Sequence, residues 1–278
     1  MYSPYFELPA DGPAWLHPQL AACLRRAGVT AADLSPAGDA ALRRTAAAIL
    51  NAACEEPTSS ELDIDLLLDV VAGIDEARVL RGLGAAPLAA LRRYDLEHTH
   101  LLRPPAESFT PYAELAAVVS LVPRGGSFAD LGCGSGRALL VAALRRPDVS
   151  CDGYEVVGAR AALGREMLAR LAGGRRRRRY RCVSRTLGRS RLPPAAADVF
   201  FMFNPLAPSS LEALLRQLGG LAQRRPFLLV CKAMDAELRS APAFRASRPW
   251  LRRLPTRGAG LPRGFSLFRA GTRARAGC

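Results

Sequence analysis

Residues 128–137, FADLGCGSGR, constrain the fold of this chain more than any other stretch. A short apolar run ends in an acid, Asp130. Three glycines follow at alternate positions, Gly132, Gly134 and Gly136, and an apolar helical run, GRALLVAALRR, begins at once and is ended by Pro147. A turn this sharp between a strand and a helix lets backbone approach a ligand closely. The segments after it keep the same rhythm. VSCDGYEV reads as a strand, GARAALGREMLARLAGG as a helix closed by glycines, and YRCVS as a weaker strand. ADVFFMF reads as a strong strand, PSSLEALLRQLGGL as a helix with a serine cap, PFLLVCK as a strand and GFSLFRA as the last one. Strands alternating with helices predict an α/β fold with a mostly parallel sheet covered on both faces.

Residues 1–102 read differently. HPQLAACLRRAG, SPAGDAALRRTAAAILNAAC, SSELDIDLLLDVVAGI and APLAALRRYDLEH all place apolar residues on one helical face, with Asp39 a candidate N-cap. RPPAESFTP has the proline and short polar residues of a linker. The predicted organisation is an all-helical N-terminal domain over 1–102, a linker over 103–110 and an α/β domain over 111–278.

Composition bounds the rest. Of 278 residues, 49% are hydrophobic, which is a globular composition. No apolar run approaches the roughly 18 residues of a membrane helix, and the N-terminus lacks the basic and apolar regions of a secretory signal. Seven cysteines are scattered with no C-x-x-C pair, which suits reduced thiols in a cytoplasm. The net charge of +14 divides into −6 up to residue 102 and +20 beyond it. A basic half can face an anionic partner such as nucleic acid. Lys232 is the only lysine among many arginines and alanines, however, a pattern that GC-rich codon usage also produces.

The glycine spacing excludes two common nucleotide turns. A nicotinamide fingerprint needs a third glycine where Arg137 stands, and a P-loop needs Gly-Lys-Ser/Thr. The turn resembles motif I of the class I S-adenosylmethionine-dependent methyltransferases, and the resemblance spans about residues 108–270. It implies a Rossmann-like, mostly parallel seven-stranded sheet and S-adenosyl-L-methionine as cofactor. By that resemblance Asp130 places the methionine end of the cofactor, while Gly132, Cys133, Gly134 and Gly136 make room for it. Glu155, 23 residues after Gly132 in GYEVV, accepts from the two ribose hydroxyls. The family's acid after the third strand is missing from RCVSRTLGRS, which leaves Ser184 or Thr186 for the adenine.

The fourth strand of this family delivers residues to the transferred methyl, and here it ends in Phe203, Asn204 and Pro205. NPL is similar to the Asn-Pro-Pro-aromatic motif of amino-group methyltransferases, but Leu206 and Ala207 replace its last two residues. FFMFNP after DLGCGSGR also looks like a group of bacterial methyltransferases of unassigned substrate. More loosely, the strand and the TPY segment look like the non-SET histone lysine methyltransferases. The expected catalytic residues are Asn204, which orients the acceptor, and Tyr112, a route for its proton; Thr110, Phe203 and Asn204 join the cofactor set. Asn204 is alternatively a turn residue before proline. His98 and His100 have no third ligand in the sequence, so no metal is expected. The run of arginines at 175–179 reads as a solvated loop rather than a phosphate patch, and Tyr180 beside it makes no stacking platform alone. The expected function is methyl transfer to a protein side chain or small molecule, with the N-terminal helices as lid or substrate-recognition domain. The alternatives are a nucleic-acid methyltransferase and a non-catalytic basic module on a relic of the fold. Oligomeric state stays open, and no membrane association is expected.

Overall fold

The computed structural model describes residues 28–29, 38–55, 61–74, 79, 109–171, 179–192, 197–203, 206–246 and 250–271. The expected helices at 17–28 and 86–98, the two histidines, residues 103–108 of the linker, residues 175–178 of the arginine run, and Asn204 with Pro205 lie outside them. Two helices precede the sheet, α1 (Asp39–Glu55) and α2 (Glu61–Ala72). Helix α3 (Tyr112–Ser120) leads into β1 (Ser127–Leu131), and α4 (Arg137–Arg145) follows the glycine turn. Then come β2 (Ser150–Glu155), α5 (Gly158–Leu171), β3 (Tyr180–Ser184), β4 (Val199–Phe203), α6 (Pro208–Ala222) and β5 (Phe227–Lys232). Short helices α7 (Asp235–Ser240) and α8 (Pro242–Ala246) precede β6 (Leu251–Leu254) and β7 (Phe265–Ala270).

The seven strands form one sheet in the order β3-β2-β1-β4-β5-β7-β6. The sheet is mixed: β1 to β5 pair parallel, and β7 lies antiparallel between β5 and β6. Strand β6 is the element the sequence conceals. LRRL is short, and its two central arginines are exposed, so no alternation marks it; it forms because β7 offers an open edge. Two helix starts also differ from expectation. The carbonyl of Gly38, not Asp39, takes the first bond of α1, from Leu42 N–H. Helix α6 has Ala207 at its N-cap and Pro208 in its first turn, with no side-chain cap. Proline fits there because its missing N–H would have no intrahelical partner.

The pleat sends alternate residues to two cores. Ala129, Leu131, Phe200 and Met202 pack with α6 and α7 on one face. Phe128, Val199 and Phe201 face the other way, toward α4 and α5. By the same alternation Asp130 belongs to this second face, in register with Phe201. Helices α1 and α2 do not build a core of their own from the described residues. Leu42, Ile49, Leu50, Ile64 and Leu68 lie in one buried cluster with Val118, Leu139, Leu140, Met167 and Leu171 of α3, α4 and α5. Leu50 and Leu68 are fully buried in it. Each such leucine stabilises the fold by about 1.5–3 kcal/mol through burial.

A proline-rich linker crossed by few contacts would release a folded α/β part on cleavage. The shared cluster predicts otherwise. A fragment starting at residue 109 uncovers the outer faces of α3, α4 and α5. It should bind a hydrophobic dye and lose the cooperative thermal transition of the full chain. A fragment that melts cooperatively at the full chain's temperature would show instead that the α/β part folds alone.

Candidate active site

Strand order reverses between β1 and β4, and open α/β sheets bind ligands at the strands' carboxyl ends at that point. A cleft lies there. Asp130, Gly132, Cys133, Gly134 and Ser135 line its floor, Glu155 and Arg160 one side, and Phe201, Phe203 and Leu206 the other. Phe109 and Thr110 close it from the segment before α3.

The glycines divide two tasks. Gly134 has φ +54°, and a Cβ added there would meet nothing within 4 Å, so its backbone faces open space. Gly136 has φ +89° and caps α4; a Cβ there would stand 3.2 Å from Met167 Cε and 3.6 Å from Gly164 Cα. That glycine lets α4 and α5 close on each other and does not line the cleft, whereas Gly134 keeps the cleft open. Cys133 lines the cleft with its thiol turned inward, 3.6 Å from the Cys182 sulfur. The contact with Cys182, and then burial, push that thiol well above the usual cysteine range.

The two acids differ in surroundings. Glu155 ends β2, accepting Gly134 N–H on Oε2 at 2.9 Å and Val157 N–H on Oε1 at 2.8 Å. It therefore braces the turn that it flanks. Asp130 is also buried, yet among the described residues no donor reaches its carboxyl. Burial, and then the nearby charge of Glu155, push its pKa up to about 8. A buried carboxyl without a donor favours its neutral form until a cation arrives.

The remaining expected residues are placed unevenly. Thr110 and Phe203 line the cleft. Tyr112 does not: it is wholly buried, and its hydroxyl donates to Asp69 Oδ1 at 2.6 Å. Burial, then the Asp69 charge, hold its pKa well above the usual phenol range, so in this arrangement it is no route for a proton. After β3 the cleft is lined by Arg185 and Leu187 rather than by Ser184 or Thr186. Among the described residues no cluster of His, Cys, Asp and Glu could hold a metal ion. No described helix is long and apolar enough to cross a membrane.

Three groups escaped the sequence reading. Asp65 and Asp69 of α2 are buried against Arg137. Their signal was legible: acids four apart inside the apolar run DIDLLLDVV share one buried helix face. Lys232, at the end of β5, pairs with Glu114 of α3, its ammonium 5.3 Å from the centre of the Phe203 ring. Ala233, which follows it, has φ +52° and donates its N–H to the Gly264 carbonyl at 3.0 Å.

No family model matches this sequence, and no curated protein does. Some solved structures are similar to it over part of the chain. A TehB-like SAM-dependent methyltransferase from Corynebacterium glutamicum is 14% identical, with a TM-score of 0.44 over 64% of this chain and 97% of that one. A SAM-dependent O-methyltransferase from Thermotoga maritima is 14% identical, with a TM-score of 0.43 over 61% and 68%. Human N-acetylserotonin methyltransferase, solved with SAM, is 12% identical, with a TM-score of 0.44 over 75% and 70%. The present chain has its glycine turn, Asp130 and Glu155 around one cleft.

The state of Asp130 gives a pH signature. Its folded pKa, about 8, exceeds the unfolded value of about 3.9. The folded chain therefore binds the extra proton between those values, and stability falls as pH rises through that window. Asp130→Asn, free of cofactor, should be more stable than wild type at pH 9 by up to about 5 kcal/mol, with little difference at pH 4. Thermal unfolding across pH checks this, and parallel pH profiles for the two proteins would refute it.

Proposed function

We propose that this chain transfers a methyl group from S-adenosyl-L-methionine to a protein side chain or a small molecule. The observation that carries the reading is Asp130, a buried carboxyl at the cleft floor that no described donor reaches, beside a glycine whose backbone opens on the same space. A buried carboxyl left without a donor gives up its proton when a cation arrives, and the methionine end of the cofactor carries an ammonium and a sulfonium. Glu155 supports the ribose role: a carboxylate has about four lone-pair sites, so it can serve hydroxyls as well as the two amides it holds. The residues present thus fit the cofactor.

When bound, the cofactor supplies a methyl on a good leaving group, so the protein's work is positioning. Asp130 would hold the cationic end, Glu155 the ribose hydroxyls, and the open backbone at Gly134 would let both come close. Phe201 and Phe203 give the acceptor side an apolar wall that excludes water. Asn204 follows Phe203 directly, and its amide is the proposed group for orienting the acceptor's lone pair. With Tyr112 committed to Asp69, the acceptor's proton would leave through a backbone carbonyl or water.

Calorimetry with S-adenosylmethionine and S-adenosylhomocysteine tests the reading, followed by labelled-methyl transfer into a lysate fractionated into protein, RNA and small molecules. Glu155→Ala should weaken binding by ~1–3 kcal/mol, and Gly134→Val should abolish it by filling the open space. Wild-type binding by both variants would sink the cofactor assignment. Because Asp130 takes up its proton below pH 8, binding at pH 7 should release about one proton, read from heats in buffers of different ionisation enthalpy.

Asn204→Ala should leave cofactor affinity unchanged while lowering the transfer rate at saturating cofactor, as expected of a contact made mainly in the transition state. Label incorporation into the acceptor fraction checks it. An unaltered rate would leave Asn204 as the turn residue before Pro205.

A further inference from the structure

The following rests on the cofactor reading above. We propose that α2 is part of the cofactor site: Asp69, aided by Asp65, is a positioning residue that sets the glycine turn and the facing wall of the cleft through Arg137 and Tyr112.

Arg137 is the first residue of α4 and follows Gly136, so its backbone cannot shift without moving the turn. Its guanidinium grips Asp69 with two bonds, Nε to Oδ1 at 3.0 Å and Nη2 to Oδ2, while Nη1 stands 3.8 Å from Asp65 Oδ2. All three residues are buried. The same two carboxylates hold the opposite wall. Tyr112 donates a hydrogen bond from its hydroxyl to Asp69 Oδ1, and its backbone N–H reaches both Asp65 oxygens at 3.2 and 3.3 Å. Above this, the Arg137 guanidinium lies 4.3 Å from the centre of the Phe109 ring and 4.9 Å from that of Tyr112. Arg137, Phe109 and Thr110 line the cleft, and so does Ile74, two residues beyond α2.

Two cleft walls distant in sequence therefore hang on one pair of acids from a third segment. A forked guanidinium fits a carboxylate in one plane, so the bond fixes direction as well as distance. Without Asp69 the guanidinium loses this bidentate partner while still buried, a state costly enough that the side chain would turn toward solvent. That turn would draw the start of α4 and the Phe109 ring with it.

The test uses the full chain. S-adenosylhomocysteine affinity is measured by calorimetry at a temperature where circular dichroism shows every variant folded. Asp69→Asn should lose at least tenfold in affinity. Leu50→Ala, fully buried on the neighbouring helix α1, should lower the melting temperature and keep affinity within twofold. Arg137→Gln should also lose affinity, and the double variant should lose clearly less than the sum of the two, because Asp69 acts in part through Arg137. Hydrogen exchange on the wild-type chain gives a reading independent of variant folding: the cofactor should slow exchange across residues 61–74 as well as 130–137. Unchanged affinity in Asp69→Asn, additive losses, or no protection of 61–74 would each overturn the assignment. A wild-type chain that binds neither cofactor form would bring down the cofactor reading itself, and this inference with it.

Discussion

A guanidinium sits where the chain leaves its first strand and enters its first crossover helix, shielded from water on nearly every side. Arg137 stays charged there because two carboxylates from α2 face it. Taking such charges out of water costs several kcal/mol each, returned only if the geometry is good and every donor has an acceptor. The packing of this half of the molecule meets that demand. Helix α2 must lie across the start of α4, α1 packs beside it, and the segment before α3 must bring Tyr112 against the same acids. Hydrophobic burial supplies most of the stabilisation, but it is non-directional. The ion pair is what fixes how the helices sit.

The sheet was legible because a parallel strand buried on both faces has few ways to be written. SFADL and VFFMF are apolar nearly throughout and are followed at once by turn residues and a helix. The motif residues were legible for a related reason: a strand, an acid and spaced glycines leave a small set of backbone paths. Strand β6 was not legible, because its pairing is a property of its neighbour's open edge and not of its own four residues. The role of Tyr112 was misread for the same kind of reason. Its position in the chain puts it beside the cleft, but its rotamer and its partner are set by Asp69, 43 residues away. Long-range polar contacts leave only faint local marks, here two acids spaced along one apolar helix.

The two acids of the cleft illustrate how environment divides like groups. Glu155 accepts two backbone N–H donors at fixed distance. Asp130 has burial and a negative neighbour, which favour its neutral form. One braces the turn while the other waits for a counter-charge. Lys232 and Glu114 repeat the theme at the far wall, where an ammonium lies against Phe203 and Phe265 and ties β5 to α3. The left-handed backbone at Ala233 stands immediately after it, a conformation that costs a residue with a Cβ about 1–2 kcal/mol and is held by the Gly264 carbonyl.

The exposed arginines of β6 have a consequence for how copies of the chain meet. A strand at the end of a sheet presents unpaired N–H and C=O groups, a template on which another strand can add. Arg252 and Arg253 occupy the middle of β6, and the pleat sends them to opposite sides. A second copy docking along this edge would meet the exposed Arg252 on one side, and on the other Arg253, which pairs with Asp235. The sheet thus ends in a short strand whose side chains at this edge are already committed or charged.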